Sequence, residues 1–181
     1  MKKQILLTTI LLAAMGVGGF QTSQVTTAHA RAKKTMKVYP KRYRHSWYHY
    51  DGHGKYDKVR FTKKVWHYAQ YYDGATTKGT STLHSRSVRA DPDKAKIHGS
   101  WVVGQKFSFR HANWIDLRGW NQSAGDGTYY KVTTKKFHGK KLSVLTDAYG
   151  AMVTTDRHCY RSKKVAKRLG NHHFKGESYS V

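Results

Sequence analysis

HSWYHYDGHGKYDKVRFT, residues 45–62, reads as two strands around a tight turn. The first run is rich in aromatics and ends at Asp51-Gly52-His53-Gly54, which supplies the positive φ angles that a short hairpin needs. The second alternates cleanly. Val59 and Phe61 fall on one face and Lys58 and Arg60 on the other, as in a half-buried strand.

The same pattern continues outward. VWHYAQYY (65–72) is β-prone through its aromatics and stops at Asp73-Gly74. Residues 75–99 are polar; STLHSRSVRA (81–90) is the one stretch there read as a strand, and Asp91-Pro92-Asp93 as a turn. SWVV (100–103), KFSFR (106–110) and NWIDLRGW (113–120) read as three strands. TYYKVTT (128–134) and KLSVLT (141–146) flank a hairpin at His138-Gly139, and AMVTTDRHCYR (151–161) closes the set. A short C-terminal helix is expected near 163–169, with Ser162 as N-cap, Val165, Ala166 and Leu169 on one face, and Gly170 as the stop. About eight or nine short strands joined by hairpins predict an all-β fold. A single antiparallel β-barrel is the expected form, because closure removes exposed strand edges.

Composition agrees with one packed domain. The chain has 181 residues, of which 38% are hydrophobic and 13% aromatic, enough apolar side chain to exclude a disordered polycation. Two prolines and 16 glycines exclude collagen-like repeats, and one cysteine excludes an intramolecular disulfide framework. Met1-Lys2-Lys3, the apolar run ILLTTILLAAMGVGGF (5–20) and Ala28-His29-Ala30 read as a signal peptide over residues 1–30, cleaved after Ala30. Residues 31–37 read as a flexible basic lead-in and 38–181 as the barrel domain with its helix. No later window is apolar enough to span a membrane. The expected location is extracellular, secreted or held non-covalently on the cell wall.

YPKRYRHSWYHYD, IDLRGWNQSAGDGTYY and HCYRSKKVAKRL, in that order, resemble a group of small basic secreted proteins of lactic acid bacteria. The resemblance spans most of residues 36–175 and implies export and basicity without implying an activity. The chain also resembles lipocalin-like barrels. Those carry a G-x-W in the first strand, an Arg late in the last strand and a helix packed on the wall. Here Trp47 stands in the first strand, Arg157 or Arg161 in the last, and a helix follows, while His45 stands where that motif has glycine. The architecture implies a small apolar ligand in an open lumen near Trp47 as one alternative function.

Charge gives the leading expectation. Beyond residue 30, thirty-two Lys and Arg oppose ten acids, a net +22. Solubility of a small domain requires a magnitude of about 2–8, and a larger field costs stability through self-repulsion. A polyanionic partner accounts for the excess. For an exported chain the nearest is a teichoic acid or another anionic wall polymer, with Arg42, Arg44, Lys63, Lys64, Lys163 and Lys164 as binding residues. No zinc-finger spacing, helix-turn-helix or RNP-type strand points to specific nucleic-acid recognition. Core packing accounts for most of Trp47, Trp66, Trp101 and Trp114. Glycan or ligand contact is expected among Trp47, Tyr48, Tyr72, Trp120 and Tyr130, since tyrosine and tryptophan offer amphipathic faces to sugars.

Catalytic and metal chemistry find little to stand on. Asp156, His158 and Cys159 are neighbours, but strand alternation turns Cys159 away from the other two. The acids are too scattered to nominate a glycosidase pair. Residues 123–127 lack both the P-loop Lys-Ser/Thr and the repeated carboxylates of a calcium loop. Eleven histidines lie beyond residue 30, with His45 and His49 on one strand face and His172 beside His173, yet no metal-ligand spacing joins them. No cofactor or enzyme activity is expected. The histidines would instead add positive charge as the surroundings acidify.

Overall fold

The computed structural model describes residues 34–123 and 125–179; the leader read at 1–30 and the start of the lead-in lie outside them. Nine strands follow one another around a closed barrel: β1 (Ser46–Gly52), β2 (Lys55–Phe61), β3 (Val65–Tyr72), β4 (Ala75–Leu83), β5 (Trp101–Phe109), β6 (Ala112–Gly119), β7 (Thr128–Phe137), β8 (Lys140–Tyr149) and β9 (Thr154–Tyr160). Helix α1 (Lys163–Leu169) comes after the last strand.

An odd number of strands cannot alternate in direction all the way around a closed barrel. One neighbouring pair must be parallel, and it is β4/β5, where Thr82 faces Trp101 and Leu83 faces Val102. The connection over residues 84–100 is the crossover that a parallel pair needs. The other neighbouring pairs are antiparallel, as expected. His53-Gly54, Asp73-Gly74 and His138-Gly139 each hold two consecutive positive φ angles, the geometry of a twist-matched two-residue hairpin.

Three segments differ from the sequence expectation, each for a local reason. β4 covers 75–83 rather than 81–90, paired residue by residue with β3 from Tyr72↔Ala75 to Val65↔Thr82. Its threonines favour strand, but it has almost no apolar residues to alternate. SWVV and KFSFR form one strand, β5, continuous through Gly104. A Cβ at that glycine would lie 2.5 Å from Met36 Cε, so the residue that resembles a break is where another chain segment enters. That segment is the third difference. Residues 34–37 are not a free lead-in, because Thr35 N donates to Arg86 O at 3.0 Å and Met36 N to Gly104 O at 2.7 Å. The strap continues through Tyr39, whose N–H donates to Lys63 O, and through the 3₁₀ turn Lys41–Tyr43 into β1.

The strap fills the barrel interior beside Trp47, which is 0% exposed. Tyr39 and Phe61 meet edge to face at 4.9 Å, Phe61 and Tyr130 at 5.4 Å, and Trp47 Nε1 donates to Tyr43 O at 2.9 Å. Leu145, Cys159, Ile115 and Leu117 complete this cluster. The guanidinium of Arg161, rather than Arg157, stands 5.2 Å over the Trp47 ring and ties the first strand to the residue after the last. On the outer wall α1 buries Ala166 and Leu169 against Tyr160 and Val144, with Ser162 Oγ accepting from Val165 N at 3.2 Å. The tail beyond α1 runs on along this wall, where Thr155 pairs with Tyr179.

The barrel closes at its thinnest seam. β1 and β9 share the register pair Tyr48↔Tyr160; near it, His49 Nδ1 donates to His158 O at 3.0 Å. Arg157 spans the gap. From β9 it reaches Asp57 on β2 at 2.5 Å, Asp156 at 2.7 Å and Asp147 on β8 at 3.7 Å. The second oxygen of Asp57 accepts from Tyr71 N at 2.6 Å. Burial pushes the Asp147 carboxyl up to about 7, against the opposing charge of Arg157 and with the help of Asp156 and Asp57.

Arg157→Met leaves the Asp57 carboxylate buried without its cation and is expected to cost about 3–5 kcal/mol in urea unfolding. A loss under about 1 kcal/mol, the scale of an exposed ion pair, would show that the seam does not depend on it. Asp147 gives the seam a pH dependence. The folded carboxyl keeps a proton that the unfolded one, near 3.8, releases. Its contribution is therefore fully present below about pH 4 and lost as pH rises through about 7. In Asp147→Asn the unfolding midpoint should fall less from about pH 4 to about pH 7.5 than in the native chain; parallel profiles would refute this.

Candidate functional site

The barrel sorts its charges by sign. Four of the ten carboxyl groups are turned inward or covered, and each has a cation beside it. Arg157 serves Asp57 and Asp147. Arg118 lies 2.5 Å from Asp116 on the outward side of β6, both of them buried. Glu177, the sole glutamate, is held by His158 at 2.6 Å, Lys135 at 2.8 Å and Lys131 at 3.1 Å, which fastens the tail to β7 and β9. Burial alone would push the Glu177 carboxyl up, but hydrogen bonds from His158 and Lys135 more than offset this and hold it well below the usual carboxylate range. Of the Lys and Arg in the described residues, all but Arg44, Arg86, Arg118, Lys131, Lys135 and Arg157 are exposed. The surface is therefore more one-sidedly basic than the composition alone conveys.

The cations gather most regularly on the outer face of β2, β3 and β4. Two cross-strand rows cross it: Lys58↔Ala69↔Lys78 and Arg60↔His67↔Thr80. Small Ala69 between two lysines leaves a groove of about 600 Å³ with Lys58, Lys78, Arg60 and His67 around it. His67 Nδ1 lies 2.9 Å from Thr80 Oγ1, which fixes the ring against the sheet. The outward positions of the three strands carry no Asp or Glu. On the opposite face Tyr68 crosses Gly79, where a Cβ would fall 2.3 Å from the ring. Chemically this groove can take a chain of phosphates with its oxygens alternating between the two rows.

The basic residues expected from the sequence fall in two places. Arg44 and Lys63 meet at the strap, where Arg44 Nε donates to Tyr39 O at 2.8 Å and Lys63 O accepts from Tyr39 N, while Arg42 lies over the Tyr43 ring and Lys64 O accepts from Leu83 N. Lys163 stands on the outer wall, 4.9 Å over the Tyr56 ring, with Lys164 exposed beside it on α1. The six do not form one patch. Lys78 carries no signal in the sequence because its strand carries none; Lys58 and Arg60 stand out as the polar face of an alternating run.

Among the aromatic residues named for ligand contact, Trp47 and Tyr130 are buried in the core and closed to any glycan. Tyr48 is half-buried under the Lys163 side of α1. Trp120 meets Trp101 edge-on at 5.2 Å, while Trp101 is sandwiched between His84 at 3.6 Å and His98 at 3.7 Å. That stack pins the crossover over 84–100 to the barrel. Burial first, then Lys64 and His98, lowers the His84 pKa. Tyr72 alone of the five stands free, 83% exposed at the end of β3.

Cys159 points into the core, where burial pushes its thiol up, while His158 points out to Glu177. The described residues include no group of His, Cys, Asp and Glu able to hold a metal ion, and no helix among them is long and apolar enough to cross a membrane. Set against known proteins, the chain matches no family model, no curated protein and no solved structure.

Proposed function

We propose that the chain is a secreted, non-enzymatic binding protein that associates electrostatically with anionic cell-surface polymers, teichoic acids and related wall glycans. The observation that supports this reading is the sorting of charge. Four of the ten acids are covered and paired with cations, and a groove with four basic side chains around it and no acid lies on the outward face of β2–β4. A polymer of spaced phosphates matches two rows of cations, and release of its counterions drives binding. The strap residues Arg42, Arg44, Lys63 and Lys64 and the helix residues Lys163 and Lys164 extend the positive field and steer the encounter. The alternative of a lipocalin-like carrier has less support, because the interior beside Trp47 is packed with Tyr39, Tyr43 and Phe61.

Sedimentation of the protein with isolated cell walls, before and after removal of teichoic acids, tests the reading. Binding is expected to fall on stripping and to weaken steeply with salt. Lys58→Gln, Arg60→Gln and Lys78→Gln together should lower affinity at least about tenfold. Each cation removed from a phosphate should flatten the salt dependence by about 0.7–0.9 on the log–log slope. Unchanged binding to stripped walls would refute the polymer; an unaffected triple variant would refute the groove.

Acidification supplies a further check. Imidazole protonation between about pH 7.5 and about pH 5 adds positive charge to the exterior, so binding at fixed ionic strength should tighten. His45, His49 and His84 contribute last, since burial lowers the pKa of each. Equal affinity at the two pH values would remove the histidines from the account.

A further inference from the structure

The seam where β1 and β9 separate opens into a cleft of about 520 Å³ whose chemistry is the reverse of the exterior. Its walls come from the ends of β1, β3 and β9 and from the tail beyond α1. Asp51 supplies a carboxylate, and Asp156 is engaged with the one guanidinium in the lining, Arg157, which also holds Asp57. His49 and His158 are turned to the His158 carbonyl and to Glu177. Behind Arg157 lies Asp147. Gln70 and Asn171 add amides that donate and accept. Aromatic surface comes from Tyr72, 83% exposed, and from the parallel pair His173 and Tyr179, whose rings lie 3.8 Å apart at 8°.

Each part narrows the occupant. The volume is that of an ordinary small-ligand site. The polar lining is wrong for an apolar ligand, which would strand amides and carboxylates without partners. Local negative charge in a chain of net charge +24 repels the polyanion that the exterior attracts. Planar aromatic faces beside amides and carboxylates suit a polyhydroxylated ring, which offers C–H faces to tyrosine and hydroxyls to the polar groups. Excess carboxylate suits a cation.

The geometry points to this cleft as a second binding site, for a small amine-bearing saccharide of the hexosamine class, with Asp51 receiving the ammonium and Tyr72 the ring face. The site is separate from the polymer groove and does not rest on it. A second source of the same charge, a plain amine without a sugar ring, would use Asp51 but not Tyr72.

Titration of the full chain beyond residue 30 with glucosamine, followed by NMR or calorimetry, tests the assignment, with glucose, N-acetylglucosamine and ethanolamine as comparison probes. Glucosamine is expected to bind best of the four. Asp51→Asn should weaken it about threefold to fivefold, the range of a partly exposed ion pair. Tyr72→Ala should weaken glucosamine but not ethanolamine. Lys58→Gln, Arg60→Gln and Lys78→Gln together should leave glucosamine binding unchanged, which separates this site from the groove. Both Asp51 and Tyr72 are exposed, so unfolding midpoints of their variants should match the parent. Absence of glucosamine binding overturns the site. Equal binding of glucosamine and N-acetylglucosamine overturns the role of the ammonium, and equal loss of glucosamine and ethanolamine on Tyr72→Ala overturns the role of the ring.

Discussion

One guanidinium closes this barrel. β1 and β9 have a single register pair between them, too little ladder to define a seam, and Arg157 bridges what the backbone leaves open. It joins β9 to β2 and β8 through carboxylates that are themselves buried. Taking such ions out of water is costly, and their mutual attraction offsets this only with good geometry and further hydrogen bonds. Both conditions are met at Asp57, whose other oxygen accepts the Tyr71 amide. An apolar plug of the same volume could close the seam, but it would not fix which strands meet there. The charges select the partners, because any slip that separates Arg157 from Asp57 leaves the buried Asp57 carboxylate without its cation.

The same logic governs the exterior. Self-repulsion among so many cations opposes folding, and acids spread over the surface would have relieved it. Asp116 and Glu177 instead neutralise charge locally, at Arg118 and at the Lys131–Lys135–His158 group. Glu177 in particular converts the repulsion between β7 lysines into a fastening for the tail, so that a segment with little apolar content of its own, beyond Phe174, stays on the wall. What remains outside is a strong excess of cations over the six exposed aspartates. The groove is positioned by strand register alone: shifting β3 by one residue would turn His67 and Ala69 inward and dismantle both rows.

Much of this is legible in the sequence wherever one face of a strand has to be apolar. The hairpin of β1 and β2 can be read from alternation and from Asp51-Gly52-His53-Gly54, and VWHYAQYY is β3 with its bounds unchanged. β4 is not legible, because both of its faces are polar; its register comes from β3 rather than from its own pattern. Gly104 reads as an interruption because the residue that fills its space, Met36, lies far earlier in a segment without periodicity. The site follows the same division. Lys58 and Arg60 are visible as an outward face, whereas Lys78 and the cleft at the seam depend on which strands become neighbours. The charge excess is plain in the composition; that four acids are hidden from the surface is not.

Groove and cleft face opposite consequences of the same field, and this constrains how they can work together. The groove presents cations and the cleft carboxylates, so the two select for opposite charge. Salt screens both, but a polymer touching many cations loses more than a ligand held through one carboxylate. A ligand of one charge sign therefore cannot serve both sites, and the two cannot be alternative seats of one polyanion. A polymer bearing phosphates along its backbone and amines on its substituents can engage both, provided that its reach spans the wall from the β2–β4 face to the β1/β9 seam. The gain would then come from effective concentration rather than from new contacts, and would disappear when either end was blocked.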